Sequence, residues 1–108
     1  MKKRGDSLAD LGRFSEPALL ILISLADGPK HGYAMTQDIA AVSGQKLGPG
    51  TLYGAIARLE SRKWIEPLPA DDRRRPYKLT GAGQRVLKAR LEALRAMTRA
   101  ATQRLANA

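Results

Sequence analysis

The sequence contains no cysteine and a single histidine, His31, among 108 residues. Disulfide frameworks, thiolate metal sites and cysteine nucleophiles are therefore excluded, and a lone histidine lacks the partner ligands a metal centre needs. Long apolar runs are also missing. The longest, Ala18 to Ala26, covers nine residues and is broken by Ser24, whereas a membrane span takes roughly 20. The opening Met1-Lys2-Lys3-Arg4 is basic like the start of a signal peptide, but Asp6, Asp10 and Arg13 interrupt what would be its apolar core. A soluble cytoplasmic protein without a membrane partner is expected. Acidic residues are few and scattered, and Gly48-Pro49-Gly50 lacks the lysine and the preceding strand of a nucleotide-binding loop. No catalytic residue, metal or cofactor is assigned, and an enzyme is not expected.

What is abundant is positive charge, and it is unevenly spread. Through Ala57, six Lys and Arg face five acids; from Arg58 onward thirteen face five, so nearly all of the net +9 lies in the second half. Such a half suits a polyanion, because Lys and Arg that neutralise phosphates release condensed counterions. It equally suits a solvated basic helix that keeps the chain soluble. The length fits one domain with modest stability reserve, so a dimer contact would help.

Helix signals divide the chain. Ser15-Glu16-Pro17 reads as a helix start with a hydroxyl cap, and Leu19 to Leu25 is apolar nearly all round, predicting a buried helix that ends at Asp27-Gly28-Pro29. A second helix is predicted from Gly32 to about Val42, with Tyr33, Met35, Ile39 and Val42 among its apolar positions and Ser43-Gly44 closing it. A third, opened by Pro49, runs to about Arg62 with Leu52, Ile56 and Leu59 inward. Its opposite stripe, Gly50, Tyr53, Gly54, Ala57, Arg58 and Ser61, has almost no bulk. Glycine in a helix costs roughly 1 kcal/mol relative to alanine, so Gly54 calls for a reason: close approach of a DNA groove, or tight packing within the protein.

Trp64 to Leu68 and Arg75 to Leu79 read as the two strands of a short ribbon, with Pro67 and Pro76 marking it as an edge element. Its tip carries Asp71 and Asp72 followed by Arg73, Arg74 and Arg75. The arginines suit phosphates or a narrow minor groove, or they pair with the two acids at small energetic return. Thr80 can cap a last helix, although Gly83 stands where a capping-box acid would sit. Leu87, Leu91, Leu94, Thr98, Ala101 and Leu105 then keep a heptad seam. Over Gly81 to Ala106 the helix would be about 39 Å long, more stripe than this domain can cover; a second copy of the chain could cover it, or the helix folds back on its own core. Trp64 either packs in the core beneath the ribbon or lines a pocket near the seam.

Three helices followed by a basic ribbon make a mainly α, winged helix-turn-helix order, with the third helix set for the major groove and a two-stranded β wing beside it. Gly28-Pro29-Lys30-His31-Gly32-Tyr33, then Gly50-Thr51-Leu52-Tyr53 with Arg58-Leu59-Glu60, then Asp72 to Thr80 with Gly83 closely resemble the PadR family of bacterial transcriptional regulators, in its compact subfamily. The resemblance covers roughly Phe14 to Leu87. It implies a homodimer formed through the C-terminal helix that binds palindromic operator duplex DNA, usually represses, and often releases DNA on binding a small aromatic or lipophilic effector. By position it assigns Thr51 and Tyr53 to DNA phosphates, Arg73, Arg74 and Arg75 to the wing, and Leu52, Leu59, Ile65 and Leu79 to the core. His31 matches a structural His-Gly-Tyr element. The chain departs from the family where Lys63 replaces a usual glycine and Trp64 a usual aliphatic residue.

The domain organisation expected is a basic N-terminal arm (1–14), a winged-helix domain (15–80) and a dimerisation helix (81–108). The expected DNA-facing set is Gly50, Thr51, Tyr53, Gly54, Arg58 and the three wing arginines. A winged helix serving protein contacts or non-specific, architectural nucleic-acid binding is the competing reading.

Overall fold

At the centre lies α1 (Ser15–Leu25), whose Ala18, Ile21 and Leu22 have no exposed surface. It is the apolar helix expected, and in the computed structural model, which describes residues 7–108, it touches a 3₁₀ helix (Leu8–Phe14), α2 (Gly32–Ser43), α3 (Pro49–Ser61) and α4 (Gly81–Ala106). Three short strands complete the fold: β1 (Lys30–His31), β2 (Ile65–Pro67) and β3 (Pro76–Leu79).

The amino-terminal segment departs from the arm expected over residues 1–14. Residues 1–6 lie outside the described part, but from Ser7 onward the chain is built into the domain, with Leu8 and Leu11 buried in the core. A capping box starts it: Ala9 N–H donates to Ser7 Oγ, and Asp10 accepts from the Ser7 amide at 3.1 Å. Ser15 is consequently not the cap of α1. The 3₁₀ turn runs directly into the helix, the Ser15 amide bonds the Gly12 carbonyl, and its hydroxyl turns back to that same carbonyl.

α2 stops where Gly44 adopts a left-handed φ of 75° and donates to the Ala40 carbonyl at 2.8 Å. Its Met35 and Ile39 are buried, while Tyr33 and Val42 are exposed. The inward stripe of α3 is as expected, with Leu52, Ile56 and Leu59 all sealed and Ala55 joining them. The helix ends in a Schellman motif: Lys63 N–H reaches the Glu60 carbonyl at 2.9 Å and Trp64 N–H the Leu59 carbonyl at 3.0 Å. This forces Lys63 to a φ of 61°, a conformation costing a side-chain-bearing residue about 1 kcal/mol. A glycine would avoid that cost. Trp64 is 5% exposed and packs in the core, and it also borders a cleft beside α4.

The ribbon is part of a three-stranded antiparallel sheet of order β1-β3-β2, so the two strands expected gain a third. Ile65 pairs with Leu79 and Pro67 with Tyr77, and on the other side Lys30 pairs with Tyr77 and His31 with Pro76. Pro76 thus stands in the middle strand and not at an edge. It is tolerated because it is the first residue of that strand, and its carbonyl still accepts from Leu68 at 2.9 Å.

Thr80 caps α4, accepting from Gly83 N–H at 3.0 Å and donating to the Lys63 carbonyl at 2.7 Å. A Cβ at Gly83 would collide with the Trp64 carbonyl and the Leu79 side chain. The missing acid therefore reflects close helix-to-sheet packing. α4 spans the predicted Gly81–Ala106 and gives the protein its 55 Å long dimension. Leu87 is used by the domain's own core, Leu91 and Leu94 are half-buried, and Thr98, Ala101 and Leu105 are exposed. Among the described residues no helix is long and apolar enough to cross a membrane.

Candidate nucleic-acid interface

α3 presents an outer strip of Gly50, Ala57 and Ser61, all exposed. Nothing lies within 4 Å of a Cβ built at Gly50, so the protein itself does not require a glycine there. Tyr53 and Arg58 flank this strip. They are five positions apart, about 140° round the helix, so they mark opposite flanks.

On the Tyr53 flank, α3 meets the start of α2. The Tyr53 ring crosses Gly32 so closely that a Cβ there would stand 2.5 Å from the phenol oxygen. Gly32 thus sets the distance between the two helices of the helix-turn-helix. Tyr53 keeps 55% of its surface exposed. It shares an open groove of about 320 Å³ with His31, Gly32, Tyr33, Tyr77 and the three arginines 73, 74 and 75. Tyr53 of α3 and the arginines of the ribbon thereby adjoin one concave surface.

The wing tip has its own geometry. Asp71 and Arg74 exchange two backbone hydrogen bonds, 2.7 and 2.8 Å, around a two-residue turn. Asp72 and Arg73 both adopt positive φ, 49° and 69°, the type I′ form that usually takes Asn-Gly. An arginine occupies the apex where glycine would be less strained. Among the described residues neither Asp71 nor Asp72 forms an ion pair with the adjacent arginines. Arg75 donates to the Leu68 carbonyl at 3.0 Å and braces the ribbon, and Arg74 Nη1 stands 3.5 Å from His31 Nε2. A cross-strand pair, Lys78 with Glu66 at 3.1 Å, lies on the neighbouring face. Burial, with the Glu60 charge second, holds the Tyr77 hydroxyl above the usual phenol pKa, so this phenol stays neutral beside the cationic arginines across the physiological range.

Gly54 and Arg58 are differently placed from the other expected residues. A Cβ at Gly54 would stand 2.8 Å from the Phe14 ring, so packing within the protein accounts for this glycine. Arg58 lies over the same ring, 3.8 Å from its centroid, and donates to the Gly54 carbonyl at 2.9 Å. Thr51 is exposed on this side. The role of Phe14 was not legible in the sequence, since no periodicity links it to α3. Ser7 and Asp10, spaced as a capping box, and the three-residue spacing of Leu8, Leu11 and Phe14 were the signals that this segment is ordered.

The profile of the transcriptional regulator PadR-like family matches residues 21–89. The chain belongs to the PadR-like family of transcriptional regulators. It is 50% identical over 76 residues to an uncharacterized 37.1 kDa protein in transposon Tn4556 of Streptomyces fradiae, and the match takes in 70% of this chain but 22% of that protein. Among solved structures, a transcriptional regulator from Clostridium thermocellum is 26% identical with a TM-score of 0.71, over 80% of this chain and 86% of the other. A PadR family transcription regulator from Clostridium difficile R20291 is 25% identical with a TM-score of 0.72, over 82% and 96%. The PadR assignment, to a family of transcriptional regulators, covers the helix-turn-helix, the wing and the first part of α4. The winged-helix fold expected from the helix order is the one found.

Proposed function

We propose that this PadR-like protein is a dimeric, sequence-specific DNA-binding repressor that reads a palindromic operator. The observation that carries the reading is the groove shared by exposed Tyr53 and the three wing arginines. The major groove admits an α-helix, and the low-bulk strip of Gly50, Ala57 and Ser61 would let the α3 backbone approach it closely. The strained Arg73 at the wing apex supports the same reading, because backbone strain of about 1 kcal/mol persists where a side chain is needed. Thr51 and Tyr53 contact phosphates at the start of α3, and Arg73 and Arg74 contact phosphates or a narrow minor groove.

Dimerisation proceeds through α4, where Leu91, Leu94, Thr98, Ala101 and Leu105 continue a seam that Leu87 begins within the protomer. A small aromatic or lipophilic effector relieves repression. A cleft of about 460 Å³ between α4 and the amino-terminal segment, with Trp64 in its wall, has the size for one.

The test is an electrophoretic shift of DNA upstream of the protein's own gene and its neighbours at several salt concentrations. Retardation by a dimer at one site, with a steep salt slope, supports the operator reading. Equal affinity for any duplex would replace it with an architectural role, and no retardation at low salt would leave a module for protein contacts.

A further inference from the structure

The flank of α3 away from the wing carries a second set of cations, and the amino-terminal segment builds it. Leu8 and Leu11 anchor the 3₁₀ helix in the core, and Gly12, at φ 57°, turns the chain so that Phe14 lies on α3. Gly54 supplies the space for the ring. The ring in turn supports the Arg58 guanidinium at 3.8 Å, and Arg13 approaches it at 5.1 Å from the centroid. Arg13 and Arg58 are both exposed. Two like charges gathered on one ring repel one another, and an anion between or beside them removes that cost. Arg62, one turn beyond Arg58, lies over the Trp64 ring.

We propose that Arg13 and Arg58, held together by Phe14, form a phosphate clasp on the side of α3 opposite the wing, so that duplex DNA is gripped from both flanks. The inference rests on the DNA-binding reading and adds a contact that the wing and Tyr53 do not supply. Arg58 is oriented before DNA arrives, because its stack on the ring and its bond to the Gly54 carbonyl fix the side chain. Phe14 is a positioning residue: it touches no phosphate and acts through the two arginines.

The experiment measures binding to a 30-base-pair fluorescent duplex of arbitrary sequence, by anisotropy, across a salt series. Two phosphate contacts per protomer correspond to a slope of log K against log salt lower by about 1.8 per protomer. Arg13→Gln with Arg58→Gln is expected to give that reduction. Phe14→Leu, which keeps apolar bulk over Gly54 but removes the ring face, is expected to weaken binding at least threefold, and Phe14→Tyr to restore it. Thermal unfolding of each variant separates these effects from loss of fold. If the arginine pair leaves the slope unchanged while Arg73→Gln with Arg74→Gln lowers it, the clasp is refuted and the wing reading survives. If neither pair changes it, both fall. Equal weakening by Phe14→Leu and Phe14→Tyr, at unchanged thermal stability, would overturn the positioning role.

Discussion

In the winged-helix body, Ile21, Leu22, Ile39 and Leu59 are sealed from solvent by their own chain, whereas beyond Leu94 the seam residues Thr98, Ala101 and Leu105 are all exposed. The two regions satisfy their apolar stripes in different ways. In the body, α1 is enclosed by three helices and the 3₁₀ segment, so most of its apolar side chains are buried within one protomer, with Leu19 and Ile23 half-buried. The far half of α4 has no such neighbours. Isolated helices of that length are marginal in water, and most helical stability comes from packing. Burial in the body makes a fold, and the exposed half of α4 is the surface on which the proposed dimer rests.

Substitutions in each region can break this contrast. Leu94→Asp would set two carboxylates in the proposed seam, at a cost of roughly 4 kcal/mol. Sedimentation should show a dimer become a monomer with an intact helical spectrum; a wild-type monomer would remove the claim. Leu59→Ala acts on the body alone and should lower urea stability by about 3 kcal/mol, since this side chain is fully buried at the centre of α3. Lys63→Gly should raise stability by about 1 kcal/mol by relieving the left-handed lysine, with no change in DNA binding. Gly50→Ala should gain about 0.5 kcal/mol, because the site is open, yet weaken duplex binding about tenfold if DNA backbone approaches there. Stabilisation without loss of binding would move the interface away from the start of α3.

The smallest effect concerns pH. A hydrogen bond from Lys30, then its charge, holds the exposed Asp27 carboxyl below the usual carboxylate pKa. A depressed folded-state value contributes stability above the unfolded value and loses it as pH falls through the folded one. Asp27→Asn should therefore flatten only the acid end of a stability profile, below about pH 4, and high salt should shrink the difference.

Much of this was legible in the sequence because specific residues punctuate it. Gly44, Pro49 and Thr80 bound α2, α3 and α4, and Leu52, Ile56 and Leu59 gave the inward face of α3 by spacing alone. The illegible parts depend on contacts between distant residues. β1 is two residues long and exists only because β3 pairs with it. The Leu8–Phe14 segment spaces Leu8, Leu11 and Phe14 three apart but is too short for that spacing to fix a helix, and its order comes from burying Leu8 and Leu11. Gly54 carried two meanings in the sequence, and only the position of Phe14 decided between them. Tyr33 and Val42 fit an apolar helix pattern yet face solvent, because α2 is covered on one narrow stripe.

Hydrogen–deuterium exchange, with and without saturating operator or low-salt duplex, tests the central claim most directly. Slower exchange at Pro49–Arg58 and across residues 71–77, with the far half of α4 unchanged, is the predicted result. Protection confined to α4, or absent from the wing and the start of α3, would contradict it.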